Sequence, residues 1–274
     1  MKALQDKVVV ITGGSSGIGK ACAEVFGKAG AKIAITGRDE LKLRQTQESL
    51  REAQIDCLAI IANADNQEDN VKMIADIIKN FGRIDILINN AGISMRALLE
   101  DCEVSVIRKV METNFFGTVY ATKYALPYII ASKGSIVGIS SIAGYRGLPA
   151  RSGYSASKFA MNGFLEALRT EVLPKGVHVL IAAPGFTASN IRNVALAKDG
   201  NIQGESPRDE EKMMTAEEVA QHILKAVLKR KSELILTKQG KLTVFLSKWL
   251  PKKLMDKLVF NNLAKENDSP LQNQ

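Results

Sequence analysis

The sequence predicts an α/β fold, a doubly wound sheet of about seven parallel strands covered by helices on both faces. Three observations carry that prediction. Short apolar runs alternate with one-sided helical patterns along most of the chain, beginning with Val8 to Thr12, Lys32 to Thr36 and Cys57 to Ile61. The first run leads at once into Gly13-Gly14-Ser15-Ser16-Gly17-Ile18-Gly19 and then a helix, the order in which a chain cradles a phosphate. Several later runs end in small or polar residues, at the edge where open α/β sheets collect their ligands.

Val8-Val9-Val10-Ile11-Thr12 reads as a strand buried on both faces, and the next helix follows Cys22, Val25, Phe26 and Ala29 to Gly30. Glycines in the turn between them let backbone approach a pyrophosphate, while the helix N-terminus offers it free N–H groups. Gly13, Ser15, Ser16, Gly17, Ile18 and Gly19 are therefore candidate cofactor contacts, in a GxxxGxG spacing that differs from the commoner GxGxxG. The second strand, Lys32 to Thr36, ends in Gly37-Arg38-Asp39-Glu40, where a dinucleotide fold meets the adenosine ribose. Asp39 is placed to cap the following helix. Arg38 is then the candidate for a ribose 2′-phosphate, which favours NADP(H) over NAD(H); a solvated loop charge is the alternative reading. Strand Cys57 to Ile61 is followed by Asn63, a contact for adenine or a turn former, and by a helix from about Gln67 to Phe81. Strand Ile84 to Ile88 ends in Asn89-Asn90-Ala91-Gly92.

One long helical segment is expected from Val104 to about Ala131, with Asn114 inside it. A polar amide in an apolar helix must find partners; a water chain toward Lys158 and a structural kink both satisfy it. Strand Ser135 to Ile139 delivers Ser140 and Ser141 to the C-terminal edge of the sheet. The helix carrying Tyr154-Ser155-Ala156-Ser157-Lys158 continues through Phe164, Leu165, Leu168 and Val172 until Pro174 and Gly176 stop it. Tyr154 and Lys158 rise from one helix face, about a turn apart. An ammonium beside a phenol favours phenolate, drawing a group of unperturbed pKa about 10 toward neutrality. Such a pair alone also arises by chance on any helix. Strand Val177 to Ala182 ends in Pro184-Gly185-Phe186-Thr187-Ala188-Ser189, and the weakly patterned stretch 186–214 reads as a substrate loop or lid. Helix Ala216 to Leu228 and strand Glu233 to Leu236 complete a single domain over residues 1–240.

Residues 241–264 form two short amphipathic segments broken by Pro251, too charged to span a bilayer. Three roles fit them: packing on the parent domain near the active-site entrance, a subunit contact, or peripheral attachment of 241–260 to an anionic membrane. From Lys265 onward the composition predicts disorder. The net charge of +8 is not interleaved with aromatics, and no DNA-reading motif is visible, which argues against a nucleic-acid partner. Cys22, Cys57 and Cys102 are widely separated, and His178 and His222 are the only histidines, so neither a disulfide framework nor a metal site is expected. The polar start, Met1 to Lys7, reads as neither signal peptide nor membrane span, and a cytoplasmic location is expected.

Taken together, Thr12-Gly13-x-x-x-Gly17-x-Gly19, Asn89-Asn90-Ala91-Gly92, Asn114, Ser141, Tyr154-x-x-x-Lys158 and Pro184-Gly185 resemble the short-chain dehydrogenase/reductase (SDR) family, in its classical branch. The resemblance covers roughly residues 6 to 237 and implies a Rossmann-type fold. It also implies an oxidoreductase that moves hydride between NADP(H) and a secondary alcohol or ketone. Tyr154 would be the general acid and base, and Ser141 would hydrogen-bond the substrate oxygen. Lys158 would lower the Tyr154 pKa and hold the nicotinamide ribose, and Asn114 would anchor a water in the proton relay. Asn90, Ala91 and Gly92 would border the cofactor, with Pro184, Gly185, Thr187 and Ser189 on its nicotinamide side. The apolar, lysine-rich tail and Leu148 and Phe186 suggest a steroid-, retinoid- or lipid-like substrate, and family members assemble as homodimers or homotetramers. An NAD(H) enzyme of the same type, or a catalytically idle dinucleotide-binding regulator, are the alternatives. Asn63 stands where the family often has an aspartate, and no basic residue precedes Gly17.

Overall fold

The computed structural model describes residues 2–188, 191–204, 213–266 and 269–272. Its centre is a seven-stranded sheet in the order β3-β2-β1-β4-β5-β6-β7, with every neighbouring pair parallel. The strands are β1 (Val8–Thr12), β2 (Lys32–Gly37), β3 (Cys57–Ile61), β4 (Ile86–Asn89), β5 (Ser135–Ile139), β6 (His178–Ala183) and β7 (Glu233–Ile235). Strand order reverses between β1 and β4, so the chain leaves the C-terminal ends of these two neighbours in opposite directions. A crevice at such a switch point is where open α/β sheets bind ligands.

All five residues of β1 are buried because both faces of the sheet are covered. Val9 and Ile11 pack with Phe26 of α1 (Gly17–Lys28), Leu43 and Leu50 of α2 (Glu40–Glu52), and Ile223 of α7 (Ala216–Leu228). Val8 and Val10 face the other way, toward Met73 of α3 (Gln67–Phe81), Ala125 of α5 (Gly117–Ser132) and Leu165 of α6 (Ser152–Val172). Burial of each large apolar side chain is worth about 1.5–3 kcal/mol, which is why the strands read as unbroken apolar runs.

Two elements differ from the sequence expectation. The segment expected as one helix is α4 (Val104–Met111), a single π-helical stretch at Glu112–Phe116, and then α5. β4 begins later than expected because the buried Asp85 carboxylate accepts from Val8 N (3.0 Å), Lys7 and Arg83 before the ladder starts.

The C-terminal extension is helical: α8 (Lys238–Trp249), a break at Pro251, and α9 (Lys252–Leu263). Met255, Val259 and Leu263 of α9 and Leu271 pack with Leu98 and Leu148 of the parent domain. The disorder expected from Lys265 does not hold for the described residues beyond it. Glu266, Ser269 and Leu271 are buried, and the Glu266 carboxylate reaches Arg151 (2.7 Å) and Arg96 (4.0 Å). A polar composition signals disorder when nothing is buried; here a long-range ion pair holds the segment.

Candidate active site

The glycine turn after β1 is built for close approach. Gly13 and Gly17 have φ of +64° and +52°, the left-handed region that favours glycine. A Cβ on Gly19 would lie 2.2 Å from Gly13 O and 2.4 Å from Asn90 Nδ2. The turn is braced from β4. Asn90 Nδ2 donates to Thr12 O (3.0 Å) and Gly13 O (2.9 Å), while the Thr12 hydroxyl accepts from Asn90 N (3.0 Å) and Ala91 N (3.1 Å). Thr12 thus clamps the two sides of the switch point, a role the motif alone did not assign. Ser15 is held through its carbonyl by Thr46 (3.3 Å), and the Ser16 side chain makes no cap bond to α1, whose first turn opens at Gly17 and Ile18. Backbone N–H groups, glycine surfaces and a helix N-terminus together fit a dinucleotide pyrophosphate.

At the end of β2, Asp39 caps α2, accepting from Lys42 N (3.1 Å) and pairing with Lys42 Nζ (3.2 Å). These bonds to Lys42 hold the Asp39 carboxyl below its usual range. Arg38 beside it is exposed. Asn63 sits in a turn, its N–H donating to Asp69 (2.8 Å) and its carbonyl accepting from Asn66 N (3.0 Å).

The second half of the site gathers where β5 and α6 meet. Ser141 caps the short turn Ile142–Gly144, accepting from Ala143 N (3.2 Å), and its side chain lies beside the Tyr154 phenol. Tyr154 packs against the apolar cluster of Met95, Ala97, Val106 and Val110, with Leu196 from the substrate loop beside it. Lys158 is buried, with Nζ donating to Ile139 O (2.8 Å) and lying 5.7 Å from the Tyr154 ring centre. Gly92 lets this happen: a Cβ there would stand 3.1 Å from Asn114 Oδ1 and 3.6 Å from Lys158 Nζ.

Burial raises the Tyr154 phenol above its ordinary value, opposed by the Ser141 hydrogen bond and by the charges of Arg151 and Arg192. Lys158 stands nearby, its Nζ 5.7 Å from the ring centre. Its amine is directed at a carbonyl, and burial lowers its own pKa from 10.5 to about 8. Asn114 is likewise committed. Its Oδ1 accepts from Ile93 N (2.8 Å), and its Nδ2 donates to Ile93 O (3.0 Å) and Ser157 Oγ (2.9 Å). The π-helical stretch contains this residue, and Asn114 braces the loop after β4 at Ile93.

Gly185 packs within 2.4 Å, at a would-be Cβ, of Thr237 Oγ1, and Pro184 O accepts from Ile142 N (3.4 Å). Thr187 is buried, and its carbonyl accepts from Arg192 (2.9 Å). Ser189 lies outside the described residues. Of the substrate loop, Leu196 pairs with Met95 and with Ile202, and Thr187 pairs with Met214. Arg151, Arg192 and Ser157 had no sequence signal of their own as site residues, since only the fold brings them to Tyr154 and Asn114.

The short chain dehydrogenase family model matches residues 7–199. The chain belongs to the short-chain dehydrogenase/reductase family. It is 40% identical over 248 residues to "Dehydrogenase/reductase SDR family member 7B" of Danio rerio, covering 88% of this chain and 80% of the relative. A second relative, "11-beta-hydroxysteroid dehydrogenase A" of Arachis hypogaea, is 39% identical over 207 residues, covering 75% of this chain and 58% of the relative. A solved short chain dehydrogenase/reductase from Burkholderia phymatum in complex with NAD superposes with a TM-score of 0.81 at 23% identity, over 90% of this chain and 94% of that one. The SDR chain is an NAD(P)-binding oxidoreductase acting on CH–OH groups of small molecules.

Proposed function

We propose that this SDR chain is an NADP(H)-dependent enzyme interconverting an apolar ketone and its secondary alcohol, with Tyr154 as general acid and base. The observation that carries the reading is the gathering of Ser141, Tyr154 and the buried Lys158 where β5 meets α6, with Lys158 Nζ 5.7 Å from the Tyr154 ring centre. The pyrophosphate falls to the turn Gly13–Gly19, and Arg38 takes the 2′-phosphate because Asp39 is spent on capping α2. Asn90, Ala91 and Gly92 line the switch point, and Lys158 stands within reach for the nicotinamide ribose. When bound, the dinucleotide supplies or accepts hydride.

The residues around the reacting oxygen then have separate tasks. Ser141 donates to it and steadies charge as it develops. Tyr154 transfers its proton to the oxygen in reduction and recovers it in oxidation. Lys158 and Asn114 hold the floor of the site, one through Ile139 and the other through Ile93 and Ser157.

The apolar wall around Tyr154, including Leu196, supports a substrate with little polar surface. A steroid- or lipid-like ketone also agrees with the name of the Arachis hypogaea relative. Purified protein should oxidise NADPH with ketones of growing ring number or chain length. Arg38→Ala should weaken NADPH binding about tenfold or more and leave NADH nearly unchanged. Equal losses for both cofactors would refute the 2′-phosphate role and favour the NAD(H) reading, for which the NAD of the Burkholderia phymatum protein is the present support.

A further inference from the structure

The C-terminal extension buries one side and leaves another apolar side uncovered. On α8, Gly240 and Val244 face the protein, whereas Leu242 (56% exposed), Phe245 (59%) and Trp249 (76%) face solvent. At 3.6 residues per turn these three fall within about 60° of arc, a single stripe. The Phe245 and Trp249 rings lie side by side, their centres 6.4 Å apart and their planes tilted by 42°. On α9, Leu254 and Leu258 are also exposed, one turn apart. Large apolar side chains gathered this way on a helix are not explained by the fold, which they do not help to pack.

The charge beside the stripe identifies its occupant. Between Thr237 and Met255 the chain has five lysines, Lys238, Lys241, Lys248, Lys252 and Lys253, and no carboxylate. The first carboxylate beyond, Asp256, is paired with Arg146. A second copy of this surface would set lysines against lysines. An anionic bilayer meets both features, taking the aromatic stripe at headgroup depth and the lysines against lipid phosphates. No helix among the described residues is long and apolar enough to cross a membrane. We infer that α8, continued by the start of α9, is a peripheral docking surface for an anionic lipid bilayer, with Phe245 and Trp249 as its inserted anchors. This places the surface on the same extension that packs Leu98 and Leu148, at one edge of the domain that carries Tyr154.

Trp249 is the only tryptophan, so it reports its own environment. The full chain is titrated with phosphatidylserine/phosphatidylcholine vesicles and, separately, with pure phosphatidylcholine vesicles. Trp249 emission should shift to the blue with the anionic vesicles alone, and the shift should reverse as salt is raised. Phe245→Ser and Lys241→Glu/Lys248→Glu should each weaken co-sedimentation about tenfold or more, while NADPH binding stays at wild-type strength. No shift with anionic vesicles, or equal binding to neutral ones, would overturn the inference. So would a protein-concentration-dependent shift without lipid, accompanied by dimerisation in the ultracentrifuge, since that identifies a second copy as the occupant. NADPH binding and ketone reduction are read on the same samples, so failure of docking and failure of the enzymatic reading are distinguishable.

Discussion

At the scale of single residues, Lys158 has the most exacting environment. Its amine is buried on Ile139 O, and burial lowers its pKa to about 8. Because this folded value lies below the unfolded one, the unfolded chain binds more protons between about 8 and the ordinary 10.5. Stability contributed through this group therefore rises with pH across that window. Compared with Lys158→Met, wild type should gain thermal stability as pH is taken from 7.5 to 10, about one to several degrees in Tm. A constant difference across that range would show that the amine is not buried as a depressed base. Thr12 makes a second residue-scale prediction. Its hydroxyl accepts from two backbone N–H groups, and Thr12→Val keeps the shape while leaving both without that acceptor. A loss of about 2 kcal/mol in urea unfolding is expected, together with weaker NADPH binding. A loss below about 0.5 kcal/mol would mean that the clamp contributes little.

At the scale of elements, the strand–turn–helix at β1 and α1 was fully legible. Its signal is local: an apolar run, glycines with positive φ at Gly13 and Gly17, and a helix whose first turn must stay open. The Tyr154–Lys158 spacing was legible for the same reason, since helix periodicity alone places both on one face. What spacing does not carry is direction and burial: the Lys158 amine is buried on Ile139 O, 5.7 Å from the Tyr154 ring centre. The π-helical stretch was not legible either. Nothing in the pattern of Glu112–Phe116 signals a widened turn, and only the hydrogen bonds of Asn114 to Ile93 and Ser157 give a reason for it there. Asn114→Ala should accordingly lower Tm and loosen hydrogen exchange at residues 92–95 more than it changes the cofactor Kd. Unchanged exchange in that loop would contradict the bracing role.

At the scale of the whole molecule, long-range pairs tie parts that the sequence presents as separate. Glu266 lies in a polar stretch that reads as disordered, yet its carboxylate meets Arg151 across 115 positions, with all three side chains of the Arg96–Glu266–Arg151 group largely buried. Glu266→Ala removes the carboxylate common to two buried guanidiniums and should cost about 3 kcal/mol, read by denaturant unfolding. Glu266→Asp should recover part of it. In the proposed reading the switch point between β1 and β4 takes the cofactor and the junction of β5 with α6 carries the chemistry, so the two should be separable by one atom. Tyr154→Phe deletes only the phenol oxygen. Measured on wild type and variant with NADPH and one reducible ketone, kcat should fall about 10²–10⁴-fold while the NADPH Kd changes less than about twofold. Turnover within about fivefold of wild type would contradict Tyr154 as the proton donor, and with it the account of this site.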